Sequence, residues 1–467
     1  MSIDKSNRYY PLDILRGLTI FGMILTAITP GGVFPAWMYH IQNPPPIHNL
    51  DMSISGLSWV DLVFPIFIFC MGVAIPMAGR RNPDITAKVF MKGVFSRFIM
   101  LWAFSYLYVL TLFTDISSIW GQIMTLVGFA SLFLIYLKIP KTLKSKALII
   151  RIIGWISVVA TILIGHFYLG ETIALGRRGI IIFLLAFLYL FGSTIWYFTK
   201  DKLSWRLIAI VLVFIFTLIT QHFDLPVKSY ANPAIRWWFN VEYVYFLLLL
   251  LPSTIVGDII AKQGTFTLEK KKKCAQLTIV QILIPLILIA LPIFLVISFY
   301  NREAILPIAA VSIASMLALM ITLTKLKLKS ELKFVGMITI MLCIGFIMEP
   351  LDGGIKKVPC TISYCFITAA ISLMLMIAID FIYQSINWKY RPVKWLLAGA
   401  GANPLMSYIA FSNLLFPIMK ITSLITLYQA CYPIDYPWIG FIRAIVVTTI
   451  SIAIVASFSS KKIYWKA

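Results

Sequence analysis

The chain has 467 residues, 60% of them hydrophobic and only 12% charged, with 40 Lys and Arg against 18 Asp and Glu for a net charge of +22. A soluble domain is nearer half apolar and a quarter charged, and a chain this poor in charge could not cover a water-facing surface. A soluble enzyme, a disordered chain and a secreted disulfide scaffold are therefore excluded, which leaves a polytopic membrane protein. The basic excess would otherwise suggest a nucleic-acid partner, and the placement of the charges decides that.

A spanning helix needs about 20 mostly apolar residues. In chain order the candidates are 12–30, 59–79, 98–114, 118–137, 148–169, 179–199, 205–221, 239–261, 277–299, 304–324, 334–349, 362–383, 396–419 and 439–458. The first carries Asp13 and Arg16 with no small-residue cleavage site after it, so it reads as a retained helix rather than a signal peptide. The thirteenth is interrupted by Gly399, Gly401, Asn403, Pro404 and Pro417. Such breaks survive in a membrane only when buried in protein or lining a wet cavity. The expected fold is an all-α polytopic bundle of about 14 transmembrane helices in a single multi-pass domain, 1–467, with no stretch left for a soluble domain. Thirty basic residues fall in one set of alternate loops and nine in the other. The positive-inside rule makes the rich set cytoplasmic, puts both termini inside and removes the case for nucleic acid.

Ionisable groups within a bilayer are costly and tend to be functional. Asp13 and Arg16 are one turn apart, so they share a helix face. Either they pair to fix helix packing, or Arg16 faces an inner vestibule and holds an anionic ligand. Asp61 opens the second span, where the helix dipole favours a negative charge. Glu242, Asp258, Glu349 and Asp380 read as interfacial groups near helix ends. All four histidines fall on the outer side: His40, His48, His166 and His222. The last two read as interfacial polar residues. Cys70 and Cys343 sit in spans as packing residues, and no cysteine spacing suits a metal. Cys360, Cys365 and Cys431 fall on the outer side, where a disulfide is the less favoured reading.

The first outer loop, 31–58, is the most informative stretch. It has no Lys or Arg, and it combines stiff prolines, aromatic residues including Trp37, and both His40 and His48. Aromatic walls with a few directed polar groups are how proteins hold sugars and other small ligands. The alternative is an ordered cap over the bundle.

These residues resemble a known family. Asp13-Ile-Leu-Arg16-Gly17, a histidine in the first outer loop, and Gly56-Leu-Ser-Trp-Val-Asp61-Leu-Val-Phe-Pro65 are similar to the transmembrane N-acetyltransferases related to heparan-alpha-glucosaminide N-acetyltransferase. Gln122 in Trp120-Gly-Gln-Ile, Gly401-Ala-Asn403-Pro-Leu, and the basic-aromatic ending Lys461-Lys-Ile-Tyr-Trp-Lys466 extend the likeness in order along the chain. The resemblance implies a ten-helix family core, to which the spans within 179–221 and 277–324 would be additional. It implies transfer of an acetyl group from cytoplasmic acetyl-CoA to an amino sugar or glycan on the far side, with no metal. His40 is the first choice for the family's active-site histidine and His48 the alternative. Asp13, Arg16, Trp37, Gln122 and Asn403 become candidate substrate- or cofactor-binding residues. Thr29 stands where the family commonly has Asn.

The chemistry suits the residues on its own terms. Amide formation from a thioester needs a base for the amine proton and donors for the developing oxyanion. A histidine could fill the first role or carry the acetyl group itself, Asp61 could orient it, and Asn403 could be a donor. Such an enzyme needs a passage from the Arg16 side to His40 and Asp61. The competing readings are a transporter or flippase for a sugar or lipid-linked glycan, and a catalytically inactive relative that only binds. The expected partners are the lipid bilayer, acetyl-CoA and the acceptor, with homo-oligomerisation left open. The expected location is a bacterial cytoplasmic membrane.

Overall fold

The computed structural model describes residues 8–113, 118–223, 238–263, 275–385, 392–433 and 435–466. Among them the chain is an all-α bundle with 14 helices long and apolar enough to cross a membrane. We number the helices α1 (Tyr10–Ile28), α2 (Trp59–Gly79), α3 (Ala87–Leu110), α4 (Ile119–Tyr136), α5 (Ala147–Leu169), α6 (Ile180–Thr199) and α7 (Leu203–His222). There follow α8 (Leu247–Gln263), α9 (Ala275–Tyr300), α10 (Ile305–Lys325), α11 (Lys329–Leu351), α12 (Ile362–Ser385) and α13 (Pro392–Gly401). The last two are α14 (Pro404–Ile421), which contains a π-helical turn at Ala410–Leu415, and α15 (Pro437–Ser460).

The sequence explains which helices are central. A helix that is apolar all round must bury every face or meet lipid. The central positions go to α1, α2, α8 and α12, where small residues let backbones approach, as they do in membranes. A Cβ on Gly72 of α2 would lie 1.8 Å from Ser253 Oγ of α8, and one on Gly257 of α8 would lie 2.3 Å from the Val73 carbonyl oxygen. The same device joins α1 to α13: a Cβ on Gly17 would lie 1.9 Å from the Leu397 oxygen, and one on Gly401 1.9 Å from the Asp13 oxygen. By contrast α5 and α7 keep most of their large apolar side chains exposed, as lipid-facing helices do, and α10 exposes Leu306, Val311, Leu317 and Ile321. The helix α6 packs against both α2 and α3.

One expectation needs correction. The thirteenth span is not one helix: α13 stops at Gly401, and Asn403 sits between it and α14. The break is buried in protein, because Asn403 is fully buried and its side chain clasps the C-terminal segment. Its Nδ2 donates to the Ile463 oxygen at 3.1 Å, and its Oδ1 accepts from the Trp465 N–H at 3.0 Å. Asp258 and Asp380, read as interfacial groups near helix ends, are buried in protein. Asp258 accepts from Arg80, Arg206 and Trp196 Nε1, so one carboxylate ties α2, α6, α7 and α8 together.

The two ends of the bundle differ. The start of α1 and the segment after α15 meet at one end, where Arg8 reaches both Asp13 and the Tyr464 hydroxyl. This is also the end rich in basic loops. At the opposite end, loop 31–58 covers α1 and α2 and is latched to the segment 352–361 between α11 and α12.

Candidate active site

His40 and Asp61 meet at the end opposite the basic loops. The carboxylate of Asp61 is set by local sequence: Ser58-Trp-Val-Asp61 is a capping box, in which the side chain three residues into the helix reaches back to the cap. Asp61 Oδ2 accepts from the Ser58 N–H (3.2 Å), the Ser58 hydroxyl (2.8 Å) and the Ile41 N–H (3.1 Å). That leaves Oδ1 for His40 Nδ1, at 2.7 Å. One carboxylate thus fills both roles read for it in the sequence, the charge at a helix N-terminus and the orienter of an imidazole. The Tyr364 hydroxyl, donating to the Asp61 main-chain oxygen at 2.8 Å, fixes the first turn of α2 from α12.

Because Asp61 accepts and cannot donate when ionised, the proton between them belongs on His40 Nδ1. Nε2 is then the ring's lone-pair nitrogen, and it has no hydrogen-bond partner among the described residues. The Asp61 side chain is buried at 3% exposure while that of His40 is 40% exposed. His40 lines a cavity of about 490 Å³, within the size range of small-molecule sites. The walls are mostly apolar and aromatic: Met23 and Ile24 of α1, Val63 and Phe64 of α2, Tyr108 of α3, and Tyr408 and Phe411 of α14. Ile181 of α6 also lines it.

The structure separates the two histidines. His48 also lines the cavity, but both its nitrogens are spent on the loop. Its Nε2 accepts from the Gly32 N–H at 2.8 Å and its Nδ1 pairs with the Asn43 oxygen at 3.1 Å. Its ring also packs edge-on to Tyr39, whose hydroxyl donates to the Pro30 oxygen at 2.6 Å. His48 is therefore the pin that gives the loop its shape, and His40 is the reactive candidate.

Two residues passed over in the sequence complete the site. Gln42 clamps the peptide at Val358 from both sides, its Nε2 donating to the Val358 oxygen (2.6 Å) and its Oε1 accepting from the Val358 N–H (3.0 Å). With Gly56 N–H donating to the Ile355 oxygen at 2.8 Å, this docks 352–361 against loop 31–58. Lys357 is thereby carried to the cavity wall, with Nζ 3.5 Å from His40 Nδ1. Burial pushes its ammonium below the usual lysine value of 10.5, against the opposing pull of Asp61. A sequence signal existed, since Lys356 and Lys357 are adjacent cations in a loop that the charge bias makes poor in them.

The other candidates lie elsewhere. Trp37 is 46% exposed in the turn Ala36–Met38 and is not among the residues lining the cavity. Asp13 and Arg16 are at the basic half of α1, where Arg16 bonds Asp13 Oδ1 (3.3 Å) and the Gly401 oxygen (3.1 Å). This is the packing role. Gln122 is buried in α4, with Nε2 3.4 Å from the Phe113 oxygen, outside the cavity wall. Asn403 is committed to the C-terminal segment. Thr29 ends α1 by bonding its hydroxyl to the Leu25 oxygen at 2.7 Å. His166 pairs with the Glu171 oxygen at an exposed position, and the side chain of His222 lies outside the described residues.

The cavity lining on α1 begins at Met23, seven residues and about 10 Å of helix beyond Arg16. An aromatic column runs from the C-terminal segment to the cavity wall. Trp465 of the C-terminal segment packs on Phe104 (centroids 6.2 Å apart) and Phe104 on Tyr108 (5.5 Å). Tyr108 in turn meets Tyr408 at the cavity floor. The cavity lining does not extend to Arg16, so the expected passage between Arg16 and His40 is not part of this cavity.

Residues 8–260 match the family model described as a domain of unknown function, DUF5009. The chain belongs to the DUF5009 family. The match runs from α1 to α8, so the DUF5009 segment carries both His40 and Asp61, the Gln42 clamp and the α1, α2, α3 and α6 walls of the cavity. Lys357, Tyr408 and Phe411 come from the part of the chain beyond it. A search of curated proteins finds no match to this DUF5009 chain.

Proposed function

We propose that this protein is a membrane acyltransferase that moves an acetyl group from acetyl-CoA, supplied at the basic, cytoplasmic face, to an amino sugar or glycan at the His40 face. The observation that carries the reading is the His40–Asp61 pair at 2.7 Å on the wall of an apolar cavity. Asp61 holds the ring with Nδ1 protonated, and Nε2 takes a proton from the attacking amine as nitrogen bonds to the thioester carbon. The imidazolium that forms is stabilised by the buried carboxylate, the logic of the Ser-His-Asp systems without the serine. The tetrahedral oxyanion needs a donor, and the Lys357 ammonium is the cation on the cavity wall suited to that role. Collapse expels the thiolate, which recovers the proton from His40. The cavity lining does not reach Arg16, so the helices must rearrange to admit the pantetheine arm, which makes donor entry a gated step.

The arrangement supports transfer over transport. A transporter would place polar groups on a cavity near mid-membrane. Here Arg16, Asp258 and Arg206 are engaged in helix-to-helix bonds instead. The test is transfer of radiolabel from acetyl-CoA to glucosamine-type acceptors by membranes that contain the protein. Label on the acceptor above that of protein-free membranes is expected. Substrate flux into liposomes without acetyl-CoA, with no labelled product, would sink the proposal and favour the transporter.

A further inference from the structure

We propose that Cys360 and Cys365 form a disulfide in the mature protein, sealing the segment that carries Lys357 onto the start of α12. Their sulfurs lie 3.4 Å apart, and both residues are buried at 1% and 0% exposure. The chain itself brings them together. The Thr361 N–H bonds the Lys356 oxygen (3.1 Å) and the Cys365 N–H bonds the Thr361 oxygen (3.2 Å), so 356–365 is folded into successive tight turns. In the thiol form Cys365 reaches only the Tyr245 oxygen, at 3.5 Å, and Cys360 reaches the Thr361 oxygen at 3.9 Å. Both are weak bonds for a pair of buried polarisable groups facing one another. Among the described residues no His, Cys, Asp or Glu cluster offers a metal as the alternative reason for the pairing.

The location suits the chemistry. The segment sits at the end poor in basic loops, which the positive-inside rule assigns to the far side of the membrane, where disulfides form and persist. Burial pushes the Cys360 thiol well above its ordinary value, so thiolate is scarce once the fold has closed. Oxidation therefore belongs to folding, while the segment is still open to a protein dithiol–disulfide oxidant. In that exchange the oxidant's disulfide is reduced to two thiols, and the two cysteines give up two electrons and two protons as the sulfur–sulfur bond forms. The closed ring is short, so its loop-entropy contribution is small. Its effect is positional. It anchors the residues that follow Lys357 and Val358, which are the contacts to His40 and Gln42.

The experiment needs neither activity nor a folded variant. Membranes are denatured in excess N-ethylmaleimide without reductant, digested with trypsin and analysed by mass. Cys360 and Cys365 share the tryptic peptide 358–389, which contains no other cysteine. The proposal predicts this peptide unlabelled and two hydrogens lighter than the reduced form, gaining two labels only after reduction. Cys431, a free thiol at the same end, is the control and takes label at once. In Cys360→Ser, Cys365 should become fully labelled without reductant. Complete double labelling of the unreduced wild-type peptide overturns the proposal, as does a mass showing either cysteine bridged to Cys431.

Discussion

Replacing Asp61 with asparagine separates the two roles of that side chain. The carboxylate now serves four donors, three on Oδ2 and His40 on Oδ1. An asparagine oriented to keep the capping bonds on its oxygen turns its Nδ2 toward His40. The amide then donates to Nδ1, which moves the ring proton to Nε2 and removes the lone pair on which the proposed reaction depends. The expected loss of transfer is about 10²–10⁴-fold, the usual worth of a positioned general base. The cap's acceptor survives, so stability should fall by only about 1–2 kcal/mol. Asp61→Ala is the contrasting variant. It strands the buried N–H groups of Ile41 and Ser58, at about 1–3 kcal/mol each, and should lower stability by about 2–6 kcal/mol. The assay is radiolabel transfer per folded molecule, with folded protein counted by size exclusion in detergent and by thermal melting. Asp61→Asn with near-normal transfer and a normal melt would refute the tautomer argument. Loss of both together would reduce Asp61 to a structural cap.

Other predictions follow from the same contacts. His48→Asn, which tolerates the positive φ of 56° at that position, should lower transfer less than about tenfold, since it removes neutral hydrogen bonds worth about 1 kcal/mol each. A loss equal to that of His40→Ala would reverse the assignment of the two histidines. Lys357→Met should abolish most transfer and yet raise the melting temperature near neutral pH. The buried ammonium is penalised when charged, so wild-type stability rises with pH through the window between its lowered value and 10.5. The gap between variant and wild type should therefore shrink as pH approaches 10.5, and paired melts at neutral and alkaline pH check it. Gly17→Ala pushes a methyl against the Leu397 oxygen, 1.9 Å from the ideal Cβ. Overpacking of about 1–3 kcal/mol should appear as a lower melting temperature, and an unchanged melt would show that α1 and α13 slide freely. Arg206→Met leaves Asp258 with Arg80 and Trp196 and should cost about 3 kcal/mol, the lower end for breaking a buried pair, with little change in transfer per folded molecule.

Much of the fold was legible because bilayer physics is simple. Apolar runs of the right length give the 14 spans, and charge sorting in the loops gives their alternation. The site was half legible. His40 and Asp61 stand out because polar residues are scarce in such a chain and cluster between the first two spans. Lys357 and Gln42 did not, since they lie 315 positions apart in sequence and meet only through the docking of two loops. Asp13, Arg16 and Asn403 are ambiguous in the sequence for the opposite reason. In a membrane interior a polar side chain is as valuable for joining helices as for binding a ligand, and only its partners distinguish the two. For Arg16 and Asn403 those partners are main-chain oxygens of neighbouring segments.

The most direct test uses sealed vesicles with the protein in one orientation, labelled acetyl-CoA supplied only at the basic face and a glucosamine-type acceptor only at the other. Labelled acceptor is expected in the compartment facing His40 with the wild type, and none above background with His40→Ala. Equal label from the two proteins, or product only on the side where acetyl-CoA was added, would contradict transfer across the membrane through His40.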